Sequence, residues 1–125
     1  MALLPLQDGP VIQLVAAATY TVGTRVFLNA SGRAEVAALA NRGIGYIDEN
    51  GATAGQLCGV RVASYPAMTY VRAHSAMAVG AVCYSQAAGR VDDADGGSAH
   101  VVGIALDAAA AQDDVIRMIR IDSDT

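Results

Sequence analysis

The chain has 125 residues, of which 54% are hydrophobic and 16% are charged, and its formal net charge is −4 with a pI near 4.8. This length suits one domain with a modest core, and the apolar composition excludes a disordered chain. The acidic balance argues against sequence-independent nucleic-acid binding, which depends on basic side chains, and no apolar run reaches the ~20 residues of a membrane helix.

Residues 1–10 predict an extended arm in front of the folded domain. Pro5 and Pro10 lack the backbone donors that a helix needs. The stretch has no basic start and carries Asp8, so we expect no signal peptide and an unexported protein. Exposed apolar side chains on such an arm indicate docking, either onto another protein or back onto the chain's own domain. The arm carries three of them: Leu3, Leu4 and Leu6.

Ten short apolar runs bounded by turn residues follow the arm and predict an all-β domain over residues 11–121. The predicted strands are 11–15, 22–28, 33–37, 43–48, 57–65, 67–73, 79–85, 89–92, 100–106 and 114–121. The alanine-rich stretches 34–40 and 107–113 are too short for stable helices and predict loops or single turns. Residues 122–125 predict a solvated acidic tail.

A sequence pattern recurs inside the predicted domain. The pattern Val-Gly-x-x-Val-Phe-x-x-Ala-x-Gly-Arg at residues 22–33 returns as Val-Gly-x-x-Cys-Tyr-x-x-Ala-x-Gly-Arg at residues 79–90. After one extra residue, the segment 44–46 also matches the segment 102–104. Each copy is typical of a hairpin, in which a strand, a tight glycine turn and a return strand follow one another. Two related hairpin units that share a core predict a small β-sandwich or barrel.

The residues able to carry chemistry are few and are not linked by a motif. Cys58 and Cys83 are too few for a disulfide scaffold, so we interpret them as small buried apolar residues. His74 and His100 lie near strand ends and are typical of surface or interface histidines. No nucleophile elbow, metalloprotease helix or phosphate-binding loop is present. Gly43 and Gly45 lie inside a predicted strand and indicate close backbone packing. We therefore expect no catalytic residues and no enzyme activity.

The acidic loop 92–95 is a metal-site candidate by composition, but its spacing does not fit a calcium loop. A calcium loop needs a bidentate acid at its twelfth position, and counting from Asp93 that position is Ile104. Asp and Gly in this loop are instead typical of turn geometry. We expect no metal and no cofactor.

Three tyrosines are candidate interface anchors, because tyrosine combines a large contact area with a polar tip. Packing in the core or at its rim is an equally good interpretation of these residues. They are Tyr20, Tyr65 and Tyr70.

The segments 22–33 and 44–45 are similar to the small capsid decoration (cement) proteins of tailed bacteriophages. The ending resembles them more closely, with Val-Val-Gly-Ile-Ala-Leu at 101–106, an alanine run and Val-Ile-Arg-Met-Ile-Arg-Ile at 115–121. The resemblance extends over residues 11–121. The chain departs from the family in Thr24, where the family often has an acid, and in a longer middle section, 48–76.

The resemblance implies a β-rich, non-enzymatic virion protein that is made in the bacterial host cytoplasm. Such proteins bind the outer surface of the icosahedral head and stabilise the expanded shell by bridging neighbouring major capsid proteins. The resemblance also implies a homo-oligomer, with a trimer favoured and a dimer possible, and no nucleic-acid or membrane partner. It makes the arm the capsid-binding segment, through Leu3, Leu4, Pro5 and Leu6.

Two other functions compete with decoration. A tail, baseplate or fibre-adaptor module of a phage virion would have the same β-rich, charge-poor composition. An enzyme or small-ligand barrel would depend on Cys83, His74, His100 and the loop 92–95, and it is the weakest of the three.

Overall fold

The structure is a computed structural model that describes residues 11–62 and 68–121. The predicted arm, the acidic tail and Tyr65 lie outside these residues. The described part of the chain contains ten strands and one 3₁₀ turn at Ala87–Gly89. The strands are β1 (Val11–Val15), β2 (Arg25–Leu28), β3 (Ala34–Val36), β4 (Gly45–Ile47), β5 (Leu57–Val62), β6 (Met68–Arg72), β7 (Val82–Ser85), β8 (Val91–Asp92), β9 (Val101–Ala105) and β10 (Val115–Arg120).

The predicted all-β fold of two related units is confirmed, and every predicted run contains one observed strand. Several strands begin later than predicted because a turn occupies the start of the run. Gly23 has a φ of +82° and Gly80 has a φ of +84°, values that favour glycine. Thr24 N donates to the Thr21 carbonyl and Ala81 N to the Ala78 carbonyl, so both chains turn before β2 and β7.

The repeat is a complete five-stranded unit rather than a hairpin. The first unit, residues 11–62, forms an antiparallel sheet with the strand order β1-β5-β4-β2-β3. The second unit, residues 68–121, forms a second sheet in the order β6-β10-β9-β7-β8, which is the same topology. A single parallel bridge joins the two edges of each sheet, at Ala16–Ala34 in the first unit and Ala73–Val91 in the second. Each sheet therefore bends around its own interior.

Each unit has its own core instead of sharing one. The first core contains Ala16, Val26, Ala34, Ile47, Ala52, Cys58 and Val60. The second contains Val71, Ala73, Met77, Cys83, Val91, Val102, Ala105, Ala109, Ile116 and Met118. Tyr46 of β4 belongs to the first sheet but packs in the second core. Separate cores follow from sheet closure, because the inward side chains of each unit are covered by its own strands.

Gly45 and Gly103 occupy equivalent positions in the two sheets, and both allow neighbouring strands to approach closely. A Cβ atom on Gly45 would overlap the carbonyl oxygen of Arg61, and one on Gly103 would overlap that of Ile119. This agrees with the sequence-based interpretation of the glycines at 43 and 45 as sites of close backbone packing.

Both cysteines are free and buried, as predicted. Burial raises the pKa of the Cys83 thiol to about 12 and also raises the pKa of Cys58. The thiolate is the reactive form, so both thiols should react slowly in the folded protein. We expect Ellman's reagent at pH 8 to label neither cysteine quickly in buffer and to label both in denaturant. Rapid labelling of the native protein would contradict the burial of these residues.

Candidate functional site

The candidate catalytic and metal-binding residues of the sequence each contact different neighbours and do not form one site. Cys83 lies in the second core. His100 places Nε2 3.0 Å from the Ala40 carbonyl oxygen, and Asp92 accepts a 2.7 Å hydrogen bond from Ser75 Oγ. Within residues 11–62 and 68–121, no three His, Cys, Asp or Glu side chains are grouped to hold a metal ion.

The other candidate histidine and the described tyrosines also pack within the chain. His74 N donates to the Val91 carbonyl at 2.7 Å, beside the bridge that joins the edges of the second sheet. Tyr20 packs against the first core, and its hydroxyl accepts from Val36 N at 3.2 Å. Tyr70 is buried in β6, paired with Arg117 of β10. A role for these tyrosines between molecules stays a prediction.

The best-defined interaction surface lies between the two units. A Cβ atom on Gly23 would lie 2.9 Å from the backbone carbonyl carbon of Val71, so the turn before β2 rests on β6. A Cβ atom on Gly89 would lie 2.8 Å from the Arg25 carbonyl oxygen, and Gly89 N donates to the Ala37 carbonyl at 3.0 Å. The 3₁₀ turn of the second unit therefore rests on β2 and on the segment after β3.

Arg25 fixes this interface with its side chain. It is fully buried, and its guanidinium donates to backbone carbonyls of both units. Its acceptors are Ala37, Ala38 and Asn41 of the first unit, and Gln86 and Arg90 of the second. Burial lowers the pKa of Arg25, and the carbonyl dipoles replace the water that this cation has lost.

Arg25 was not predicted as a site residue, although the sequence contains a signal for it. The repeat aligns Arg25 with Val82, so one copy has a cation at a strand position where the other has an apolar residue. A single arginine in an otherwise apolar strand is typical of a residue with a specific buried partner, because an unpaired buried cation is costly.

Further hydrogen bonds hold the segment after β3 against the second unit. Ser85 Oγ donates to the Leu39 carbonyl at 2.6 Å, and Ser85 Oγ in turn accepts from His100 N at 2.9 Å. At the other side of the interface, Arg72 donates to Thr24 Oγ1 at 3.2 Å. Asp113 accepts from Arg72 at 2.6 Å, which orients the Arg72 guanidinium. The hydrogen bonds from Arg90 and Arg72 lower the pKa of Asp113.

The interface consists of two different surfaces, a projecting face and a receiving face. The projecting face of the first unit is formed by Gly23, Thr24, Arg25 and Tyr46. The receiving face of the second unit is formed by Val71, Ser85 and Gly89. All seven residues are buried.

Because the two units are related, the second unit has positions equivalent to the projecting face, and the first unit has positions equivalent to the receiving face. The residues at these equivalent positions are more exposed. In the second unit, the positions of the projecting face hold Gly80, Ala81, Val82 and Ile104, and Val82 is 40% exposed. In the first unit, the positions of the receiving face hold Leu14, Leu28 and Gly32, and Leu28 is 50% exposed where Ser85 is 1% exposed. The described residues therefore include two partly exposed apolar surfaces, one equivalent to the projecting face and one equivalent to the receiving face.

The chain matches no protein-family model and no curated protein sequence. It is similar in structure to the head fiber gp8.5 N base of bacteriophage phi29, with a TM-score of 0.68 and 16% sequence identity. The match covers 91% of this chain and 98% of the phage chain, so the two proteins share a fold over nearly their whole lengths. None of the described helical segments is long and apolar enough to cross a membrane.

Proposed function

We propose that this chain is a structural component of a phage virion, and within that class a decoration (cement) protein. It would bind the outer surface of the icosahedral head and stabilise the expanded shell by bridging neighbouring major capsid proteins. The observation that carries the proposal is the fold shared with a phage head fiber base over 91% of the chain. The decoration-like ending at residues 101–121 supports the same class.

The surface of the described residues suits binding better than catalysis, and we propose no enzyme activity. Apolar side chains remain exposed at several places, with Val79 65% and Val11 41% exposed. Each would stabilise a complex by roughly 25 cal/mol for every Å² removed from water. A shell offers many symmetric sites, so modest contacts would add up to substantial reinforcement.

We assign capsid attachment to the arm, through Leu3, Leu4, Pro5 and Leu6. In a binding experiment, purified protein is mixed with expanded, undecorated heads of the phage that encodes it, and bound copies are counted on pelleted shells. We expect saturation at one copy per capsid subunit or a simple fraction of that number. The triple substitution Leu3→Ser, Leu4→Ser and Leu6→Ser should weaken binding, whereas Gln7→Ser, a change of similar kind in the same segment, should not. Full occupancy by the triple variant would contradict the role of the arm.

The second candidate is a fiber-base or adaptor module, and the structural similarity to a phage head fiber base favours it over other virion parts. Copy number separates the two functions, because a decoration protein occupies hundreds of sites and an adaptor or tail module only a few. If the folded protein does not bind heads but binds purified tails, the decoration proposal is overturned and a tail module is supported.

A further inference from the structure

We propose that copies of this chain associate head to tail by repeating, between molecules, the interface that joins the two units within one molecule. The second unit of one copy would present Val82 and Ile104 to the first unit of the next copy. That first unit would receive them on Leu14, Leu28 and Gly32. This assembly goes beyond capsid binding and does not depend on it.

The first step is that the interface within the chain joins two different surfaces. Gly23 contacts the backbone of Val71, whereas its counterpart Gly80 has no heavy atom within 4 Å of the position a Cβ would occupy. Gly89 contacts Arg25, whereas its counterpart Gly32 likewise has none within 4 Å. A twofold arrangement of the units would place both members of each pair in contact. The arrangement is therefore heterologous, and it leaves one face of each kind uncovered.

The second step is that the two uncovered faces are chemically matched. Where the internal interface has Arg25 and Ser85, the uncovered faces have Val82 and Leu28. Ala81 and Ile104 likewise replace Thr24 and Tyr46, so these positions lose all their hydrogen-bonding side chains. Burying these apolar residues between two copies is favourable, because it removes apolar surface from water. It also buries no cation that would need a partner.

Such an assembly can end in two ways. A heterologous contact forms a closed ring when its rotation closes and an open filament when it does not. A ring covers every copy of both faces, whereas a filament leaves one exposed at each end. We take the closed ring as the form of the assembly, since a ring leaves neither face exposed and the sequence predicts a homo-oligomer.

The test uses the full-length protein and two substitutions that block opposite faces. Val82→Asp places a carboxylate on the uncovered projecting face, and Leu28→Asp places one on the uncovered receiving face. Each variant alone should be monomeric by sedimentation velocity, with self-association weakened by more than about tenfold, because an unpaired charge is buried. The wild-type protein should form a discrete oligomer.

Mixing the two variants gives the decisive result. Each retains the face that the other has lost, so an equimolar mixture should form a dimer of one Val82→Asp and one Leu28→Asp chain and nothing larger. Leu57→Asp is the matched control, since Leu57 is 68% exposed and lies on neither face, and it should assemble like wild type. Circular dichroism checks that all variants are folded.

Three outcomes would overturn the inference: a monomeric wild type at all concentrations, wild-type assembly by either variant, or no dimer in the mixture. None of these readouts involves a phage head. Failure of the capsid-binding experiment and failure of this one can therefore be told apart.

Discussion

Arg25→Met is expected to lower the free energy of unfolding by about 3–5 kcal/mol, because backbone carbonyls at the interface lose their hydrogen-bond donor. The methionine replaces most of the side-chain volume but none of the donors. The backbone carbonyls of Asn41 and Gln86 would lose the guanidinium that donates to them. Those of Ala38 and Arg90 would keep one backbone donor each, the N–H groups of Asn41 and Gln86. Acceptors left without a donor cost about 1–3 kcal/mol each, so the loss at two carbonyls makes this a large effect.

The experiment is urea unfolding followed by circular dichroism, with Val82→Met as the matched control at the same protein concentration. Val82 is the counterpart of Arg25 in the second unit and is 40% exposed, so the same methionine there should change stability by less than about 1 kcal/mol. Because Arg25 joins the two units, we also expect its loss to split the unfolding transition into two steps. An Arg25→Met protein as stable as the control would contradict the role assigned to this side chain.

Gly45→Ala is expected to destabilise the protein by about 3 kcal/mol or more, at or above the upper end of the cost of overpacking. The added methyl group would overlap the Arg61 carbonyl oxygen and would lie 2.7 Å from Cγ1 of Val60. Both contacts are on β5, and the first is with backbone, so β4 and β5 would have to separate. Gly103→Ala should have a similar effect in the second unit, where the methyl group would meet the Ile119 carbonyl oxygen.

Gly55→Ala is the control that separates steric overlap from backbone strain. Gly55 has a φ of +78° and has no heavy atom within 4 Å of its Cβ position, so only the left-handed backbone opposes the substitution. That strain costs roughly 1–2 kcal/mol for an L-residue. The counterpart of Gly55 in the second unit is Asp113, with a φ of +70°, which indicates that a side chain is tolerated there. Thermal and urea unfolding should rank Gly45→Ala well below Gly55→Ala, and the reverse order would refute the steric explanation.

These two expectations concern different levels of the fold, and the sequence predicted only one of them. Close packing at Gly45 was predicted because a glycine within a short apolar strand run is a local signal. The position of Arg25 was not predicted, because its burial depends on acceptors in Gln86 and Arg90, which lie in the other copy of the repeat.

The sequence by itself determined the ten strands, the repeat and the burial of Cys58 and Cys83. Apolar runs, turn glycines and side-chain alternation are properties of neighbouring residues, so they can be interpreted without knowing what the chain packs against. The strand ends moved by a few residues where Gly23 and Gly80 form turns, and this too is a local effect.

Only the tertiary structure decided how the strands pair and how the units meet. β1 pairs with β5, so the first and last strands of the first unit are neighbours although they are far apart in sequence. β6 and β10 pair in the same way in the second unit. Tyr46 is paired within the first sheet but packs in the core of the second unit, while Ile104 at the equivalent position is partly exposed. Equivalent positions in the repeat therefore differ in burial because one face of each kind is covered and the other is open. That difference arises from the heterologous packing of the units. The packing depends on contacts between residues far apart in the chain, so the hydrophobic periodicity within either copy does not indicate it.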